Sequence, residues 1–303
     1  MERNDMAVDL ATLHHWQGFK SAQQEMILPA AAVVHIPVTI RYIDLGEGSK
    51  GTILLMHGIP TWGYLYHAII PPLVDAGYRV LVPDFLGHGW SDRRDRFDRS
   101  FQDQARMIVA FLVALGLDRV DVVGHDTGGA VALILAIEHA DLVNRLVITN
   151  SVCYDRFDDD MLDFGHPLRW KSRSVSDLVQ ALEESLIAGL SNSQQLTPEF
   201  REGIIAPWNS EEGKLSLLRN ASALNANQTM ALVDRHSQIS VPTLVLWAMD
   251  DPWQKSADGL QLASEISPAR FQAIEGASHW VQQDAPQQFS DALLSFFEAV
   301  LPK

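Results

Sequence analysis

Short apolar runs alternate with helix-length segments along most of the chain, and this alternation limits the fold more than any other feature of the sequence. The runs are rich in Val, Ile and Leu, and each is typical of a strand buried on both faces: residues 53–56, 79–83, 120–124, 146–149 and 243–247. Helical patterns lie between them, near residues 62–76, 102–115 and 128–139. The alternation predicts an α/β fold, in which helices flank both faces of a mostly parallel central sheet.

The alternation stops after residue 150. Residues 151–236 contain helical patterns without a clear strand, and strand-like sequence resumes afterwards. We therefore predict a core domain built from residues 31–150 and 237–303, with residues 151–236 inserted as a helical cap. Residues 1–30 form an N-terminal extension that either packs on the cap or mediates dimerisation.

Charge and cysteine content restrict the partners and the compartment. The 23 basic and 38 acidic residues give a net charge of −15, which disfavours binding to nucleic acid and to anionic membranes. Cys153 is the single cysteine, so no intrachain disulfide can form. Residues 1–5 lack the basic start and apolar run of a signal peptide. We expect a cytoplasmic monomer or homodimer that acts on a small molecule.

Residues 122–129, Val-Val-Gly-His-Asp-Thr-Gly-Gly, follow a predicted buried strand and open a predicted helix. Gly124, Asp126 and Gly128 have the G-x-nucleophile-x-G spacing of a nucleophile elbow. Glycines let such a turn close sharply, and the turn lifts the central side chain above the sheet at the positive end of a helix. An ordinary glycine-rich turn in which Asp caps a helix would contain the same residues. The choice between these two interpretations depends on the partners of Asp126.

An aspartate nucleophile would restrict the substrate. A carboxylate is already ionised near neutral pH and needs no base before it attacks. Attack on an ester carbonyl would give an anhydride, which gains little, whereas attack on an sp³ carbon gives a stable alkyl ester that water can hydrolyse. Asp126 therefore points to a substrate with an electrophilic alkyl carbon, such as an alkyl halide or an epoxide.

Hydrolysis of an alkyl ester needs a base that activates water. His279 lies between the last apolar run and a C-terminal helical pattern, which places it on a loop at the expected edge of the sheet. A base histidine needs an acid that holds its tautomer and stabilises its charged form. Asp250 and Asp251 both follow the predicted strand 243–247, and either one fits this role.

The turn at residues 57–62, His-Gly-Ile-Pro-Thr-Trp, follows another predicted strand. Its glycine allows the backbone N–H of Ile59 to point into the site. Together with the N–H of Thr127, this group would hold the oxyanion formed when the ester of Asp126 is hydrolysed. We interpret His57 itself as a buried structural histidine.

With these segments the chain resembles the α/β-hydrolase superfamily, in its branch of haloalkane dehalogenases and epoxide hydrolases. The matching segments are 57–62, 84–92 and 124–129, followed by Asp251 and His279 in the family's order. The resemblance implies an α/β-hydrolase fold with a cap, an aspartate nucleophile at Asp126, a base at His279, and no cofactor or metal. It also favours Asp251 over Asp250, because the family usually places the acid four residues after a tryptophan at this strand end.

The chain departs from the family's patterns at the positions that distinguish the reactions. Haloalkane dehalogenases usually carry a tryptophan after the nucleophile and often an asparagine at the earlier turn, but this chain has Thr127 and Ile59. Epoxide hydrolases usually supply two cap tyrosines, and this cap has Tyr154 alone. Fluoroacetate-type dehalogenases usually place arginines near the elbow, and residues 127–131 contain none.

The remaining candidates are groups that could assist a leaving group. A halide needs N–H donors, whereas an epoxide oxygen needs an acid. Each candidate also fits simple packing: Trp62, Tyr154, His166, Trp170, Trp208 and Trp280. Because indoles outnumber phenols here, the sequence favours a haloalkane dehalogenase-like hydrolase over an epoxide hydrolase. Ester or lactone hydrolysis and a non-catalytic ligand-binding relative are the further alternatives.

Overall fold

A computed structural model of the protein describes residues 8–30, 36–170 and 172–299. Within these ranges the strands are β1 Gln24–Leu28, β2 Val38–Leu45, β3 Thr52–Met56, β4 Arg79–Pro83, β5 Val120–Asp126, β6 Val143–Ser151, β7 Thr243–Ala248 and β8 Ala269–Ile274. The core helices are α1 Trp16–Ala22, α2 Ile70–Asp75, α3 Phe101–Ala114, α4 Thr127–Glu138, α11 Ser256–Glu265, α12 Val281–Asp284 and α13 Pro286–Glu298. The helices between β6 and β7 are α5 Asp159–Phe164, α6 Pro167–Trp170, α7 Val175–Ala188, α8 Pro198–Ile205, α9 Glu211–Ser222 and α10 Ala226–Val233.

The described strands form one sheet in the order β1-β2-β4-β3-β5-β6-β7-β8. β1, β2 and β4 pair antiparallel, and all other neighbours pair parallel. This arrangement confirms the predicted α/β fold with a mostly parallel sheet. The predicted extension contributes more than expected, because its residues 24–28 form the edge strand β1. None of the described helices is long and apolar enough to cross a membrane.

The central strands are apolar throughout because both of their faces are covered. Successive residues of a strand point to opposite faces. In β5, Val123 belongs to the hydrophobic core on one face of the sheet and Val122 to the core on the other face. Val147 and Leu146 of β6 divide in the same way. This double burial explains why the sequence shows continuous apolar runs rather than alternation with polar residues.

The helix predicted over residues 62–76 is two separate elements. Residues Gly63–Tyr66 form a 3₁₀ turn, and α2 begins only at Ile70. Pro71 and Pro72 explain the break, because a proline has no N–H for the preceding turn of a helix and is accommodated only in the first turn.

Indole and backbone hydrogen bonds join the helices between β6 and β7, which are the predicted cap, to the rest of the structure. Trp62 Nε1 donates to the carbonyl of Gly203 in α8 at 2.8 Å, and Trp208 Nε1 donates to the carbonyl of Pro60 at 2.7 Å. The N-terminal segment joins the same side, because the backbone N–H of Trp16 donates to the Glu199 carboxylate at 2.9 Å. Residues 8–28 thus contact both cap and sheet, whereas residues 1–7 of the predicted extension lie outside the described ranges.

Candidate active site

The nucleophile elbow is the junction of β5 and α4. Asp126 has φ 54° and ψ −122°, a conformation that non-glycine residues rarely adopt and that is associated with functional strain. The two backbone segments approach so closely that a β-carbon on Gly124 would stand 2.7 Å from Gly129 Cα. Ser151 Oγ donates to the Asp126 carbonyl at 2.9 Å and ties the turn to β6. The turn therefore holds the Asp126 side chain above the end of the sheet.

The carboxylate of Asp126 is buried and accepts two backbone hydrogen bonds. The N–H of Ile59 donates to Oδ1 at 2.8 Å, and the N–H of Thr127 also donates to this carboxylate. Burial raises the pKa of Asp126 to about 6, although the neighbouring His279 and the two N–H groups oppose this rise. The structure thus brings both predicted oxyanion donors to the predicted nucleophile, which is ionised above about pH 6.

His279 lies beside Asp126 and pairs with Asp251. Its Nδ1 is 2.8 Å from Asp251 Oδ2, which leaves Nε2 for a reacting water. Burial by itself lowers the pKa of His279, but the charge and the hydrogen bond of Asp251, together with the charges of Asp126 and Asp158, raise it above its ordinary value. His125 Nε2 donates to the His279 carbonyl at 2.9 Å and holds the loop from the opposite side.

The loop after β7 presents Asp251, and not Asp250, to the histidine. The N–H groups of Trp253 and Gln254 donate to Asp251 Oδ1 at 2.8 and 2.9 Å. Burial alone would raise the pKa of Asp251, but His279 and these N–H groups together lower it, so the carboxyl stays ionised. The neighbouring Asp250 is exposed.

Asn150 is a part of the site that the sequence analysis missed. Its Nδ2 donates to Asp251 Oδ2 at 2.8 Å and to the Ala248 carbonyl at 3.1 Å, and its Oδ1 accepts from the Ala248 N–H at 2.9 Å. Its φ of 39° lies in the left-handed region, where asparagine is enriched. Asn150 thus joins the ends of β6 and β7 and orients the acid. A polar residue at the end of the buried run Leu146–Thr149 is the signal that could have identified it.

A small cavity connects these groups. Its walls are mostly apolar side chains from core and cap: Ile59, Pro60, Asp126, Thr127, Val152, Phe157, Asp158, Met161, Ser185, Leu224, Trp253, Gln254, His279 and Trp280. Its volume is about 20 Å³, which is enough for one water. None of these lining residues is a lysine or an arginine. Within the described ranges, no three His, Cys, Asp or Glu side chains are grouped so that they could hold a metal ion.

A wider cleft of about 900 Å³ lies outside this cavity. The two spaces share four lining residues: Phe157, Asp158, Leu224 and Trp253. Trp253 was not singled out in the sequence. Its backbone contacts Asp251, and its ring meets the His279 ring edge-on at 4.9 Å. These four residues therefore separate the catalytic cavity from the cleft.

Two of the predicted leaving-group contacts are wrong because their indoles hold the cap to the core. Trp62 and Trp208 are fully buried outside the cavity lining, and each N–H already donates to a backbone carbonyl, at Gly203 and Pro60 respectively. The prediction counted indoles but could not assign their directions. Trp280, by contrast, does line the cavity.

Three further predicted contacts also lie elsewhere. Trp170 packs on Phe164 within the cap. The hydroxyl of Tyr154 donates to Glu265 at 2.8 Å, outside the cavity lining. His166 has an exposed side chain. These three are corrections to the sequence analysis, because none of them lines the cavity that contains Asp126.

Comparison with known proteins agrees with this geometry. The model of the alpha/beta hydrolase fold family matches residues 51–286. A haloalkane dehalogenase from Mycolicibacterium paratuberculosis is 28% identical over 88% of this chain and 89% of its own. Among solved structures, an alpha/beta hydrolase fold protein from Burkholderia ambifaria is 24% identical, with a TM-score of 0.79 over 85% of this chain and 94% of its own. The epoxide hydrolase CorEH is 20% identical, with a TM-score of 0.75 over 91% and 98%. The chain therefore belongs to the α/β-hydrolase fold family, as a hydrolase related to the haloalkane dehalogenases.

Proposed function

We propose that the protein is a haloalkane dehalogenase-type hydrolase that works through a covalent ester on Asp126. The observation that carries this proposal is a carboxylate, rather than a hydroxyl, at the nucleophile elbow. It faces the His279–Asp251 pair across a mostly apolar cavity. The similarity to haloalkane dehalogenases supports the choice of an alkyl halide as substrate.

In the first step, an ionised oxygen of Asp126 attacks the carbon that carries the halogen. A C–O bond forms, the C–halogen bond breaks, and its electron pair leaves with the halide. The product is an alkyl ester of Asp126, and no proton is transferred. The step requires Asp126 without its proton, and the hydrogen bond from Ile59 directs one carboxylate oxygen away from the substrate.

In the second step, His279 Nε2 takes a proton from water, and the hydroxide attacks Cγ of Asp126. The N–H groups of Ile59 and Thr127 stabilise the resulting oxyanion. The intermediate then collapses: the bond between Cγ and the ester oxygen breaks, the alcohol leaves with the proton from His279, and Asp126 releases the remaining proton to water. Asp251 stabilises the charged histidine between these two proton transfers.

Epoxide hydrolysis is less well supported than dehalogenation. Opening an epoxide needs an acid that protonates the departing oxygen. The cap phenol of Tyr154 is hydrogen-bonded to Glu265 and is outside the residues that line the cavity. The likeness to CorEH is below 25% identity and supports the fold alone.

The proposed ester is tested by blocking its hydrolysis. In His279→Gln, the first step proceeds while the second lacks its base, so the alkyl ester is expected to accumulate. Mass spectrometry after incubation with 1-bromobutane and 1,2-dibromoethane should show the adduct on the peptide that carries Asp126. His166→Gln is the matched control, because His166 is exposed. This substitution should not slow turnover, and no adduct should accumulate.

The substrate class is tested by a paired screen of the wild type. Halide release from neutral bromo- and chloroalkanes that Asp126→Asn abolishes supports dehalogenation. Diol formation from epoxides without halide release overturns it in favour of an epoxide hydrolase. If neither halide nor diol is formed but esters or lactones are hydrolysed, the alkyl-halide assignment is wrong. Only the fold and the His279–Asp251 pair would then remain from this interpretation.

A further inference from the structure

A dehalogenase has to stabilise the halide that leaves, and this chain has no tryptophan directly after Asp126. Thr127 has no indole, and its backbone N–H is directed to Asp126. The cavity lining contains no lysine or arginine that could act instead. The remaining neutral donors in the lining are the hydroxyl of Thr127 and groups on the other walls of the same cavity, the indoles among them.

The tryptophans of the chain can be sorted by what their N–H groups contact. Four of them already donate to protein acceptors: Trp62 to Gly203, Trp170 to Asp163, Trp208 to Pro60 and Trp247 to Gln254. Trp16 and Trp90 stack on each other at 6.5 Å, outside the residues that line the cavity. Trp253 and Trp280 remain as the indoles in the cavity wall.

Trp280 differs from Trp253 in the state of its N–H. Its side chain is 1% exposed, and Nε1 is buried without a hydrogen-bond partner among the described residues. A buried donor without a partner is costly, and in an enzyme it needs an explanation such as a ligand. The ring lies directly against the catalytic histidine, with centroids 4.4 Å apart. The ring therefore packs against His279, and its N–H has no hydrogen-bond partner among the described residues.

We propose that the indole N–H of Trp280 is the donor that stabilises the departing halide. The assignment rests on the proposed dehalogenation. The C-terminal end of α7 makes room for the indole, because Gly189 has no side chain there and a β-carbon would collide with Nε1 and with the Trp253 ring. The backbone N–H of Trp280 donates to the Gly189 carbonyl at 3.0 Å, which fixes the position of the ring. Ser185 of α7 adds a hydroxyl to the same cavity.

The test compares Trp280→Phe with Trp62→Phe in single-turnover experiments on matched 1-chloro-, 1-bromo- and 1-iodobutane. Losing one preorganised donor is expected to slow the alkylation step by roughly 10²-fold for chloride. The loss should shrink from chloride to iodide, because the larger ion spreads its charge and forms a weaker hydrogen bond. Trp62→Phe removes a buried N–H that already has a partner, so any loss there should be equal for the three halides.

Three outcomes decide the assignment. The assignment is wrong if Trp280→Phe slows alkylation equally for all three halides, or if Trp253→Phe instead causes the chloride-selective loss of rate. In either case, halide release by the wild type would still support the proposed function. If the wild type releases no halide, the proposed function itself fails. Should Trp280→Phe not fold, wild-type crystals soaked in bromide give the answer by anomalous scattering. A bromide on Trp280 Nε1 supports the assignment, and a bromide elsewhere in the catalytic cavity contradicts it.

Discussion

The carboxylate of Asp126 is buried and lies next to His279, whose pKa is raised. Burial opposes the charge, while two backbone N–H groups and His279 favour it, and the balance leaves the pKa of Asp126 at about 6. An ordinary aspartate would ionise near pH 4. The nucleophile is therefore lost to protonation at a higher pH than the residue type suggests.

The raised pKa of Asp126 predicts the pH below which the first step slows. Only ionised Asp126 attacks, so the single-turnover rate of halide release should be level above about pH 7 and fall as the pH drops through about 6. Rapid-quench measurements between about pH 4.5 and 8, with circular dichroism to verify folding, provide the check. An acid limit near pH 4 would show that burial does not control this group.

At the residue scale, the sequence was informative where chemistry depends on local context. Asp126 and His279 could be named because each follows a strand in a recognisable turn, and the structure places both in the lining of one cavity. Asn150 was missed because its role arises from contact between β6 and β7, which are far apart in sequence. The indoles were misassigned because the direction of a side chain depends on tertiary packing.

At the element scale, the loop after β7 selects between two adjacent acids. The turn places Asp251 inside, where three N–H donors and His279 meet it, and leaves Asp250 in solvent. The residues alone left both Asp250 and Asp251 as candidates for the acid. A shift of one position along a loop changes which of two adjacent side chains points inward.

The two acids provide a matched pair of variants. Asp251→Asn removes the charge that stabilises protonated His279, so ester hydrolysis is expected to slow by roughly 10³-fold or more. Asp250→Asn changes an exposed neighbour by the same chemistry and should leave hydrolysis as it is. Single-turnover decay of the alkyl-enzyme measures both. An equal effect of the two substitutions would mean that the loop does not hold Asp251 as described.

The central strands were predictable because a parallel strand that is covered on both faces appears in the sequence as a continuous apolar run. The predicted runs correspond to β3, β4, β5, β6 and β7. β1 and β8 lie at the edges of the sheet, where half-exposed residues such as Ile27 weaken that signal. The break before α2 was also missed, because helical periodicity alone does not show that Pro71 and Pro72 fit only in the first turn of a new helix.

At the scale of the whole molecule, the negative charge is concentrated at the entrance as well as over the surface. The cleft outside the catalytic cavity is lined by Asp98, Asp155, Asp158 and Asp159. Its one basic lining residue among those described is Arg156, which lies 3.7 Å from Asp258. The net charge of −15 adds a long-range field of the same sign.

This field predicts discrimination against anionic substrates. A haloalkanoate should show a lower kcat/KM than a neutral haloalkane of equal chain length, since the cleft repels its carboxylate. Salt should narrow the difference, because the Debye length falls to about 3 Å at 1 M ionic strength. Steady-state assays at low and high salt test this, and a ratio that is equal to one or independent of salt would contradict it.

The attachments of the cap also have a mechanical consequence. Helix α8 is anchored from two directions, by Trp62 through Gly203 and by the N-terminal segment through Glu199. Helix α5, which follows Phe157 at the cleft, packs instead on α6 and α9 of the cap itself. We expect the helices between β6 and β7, held in this way at α8, to open at the α5 margin on the cleft side rather than to move as one rigid unit.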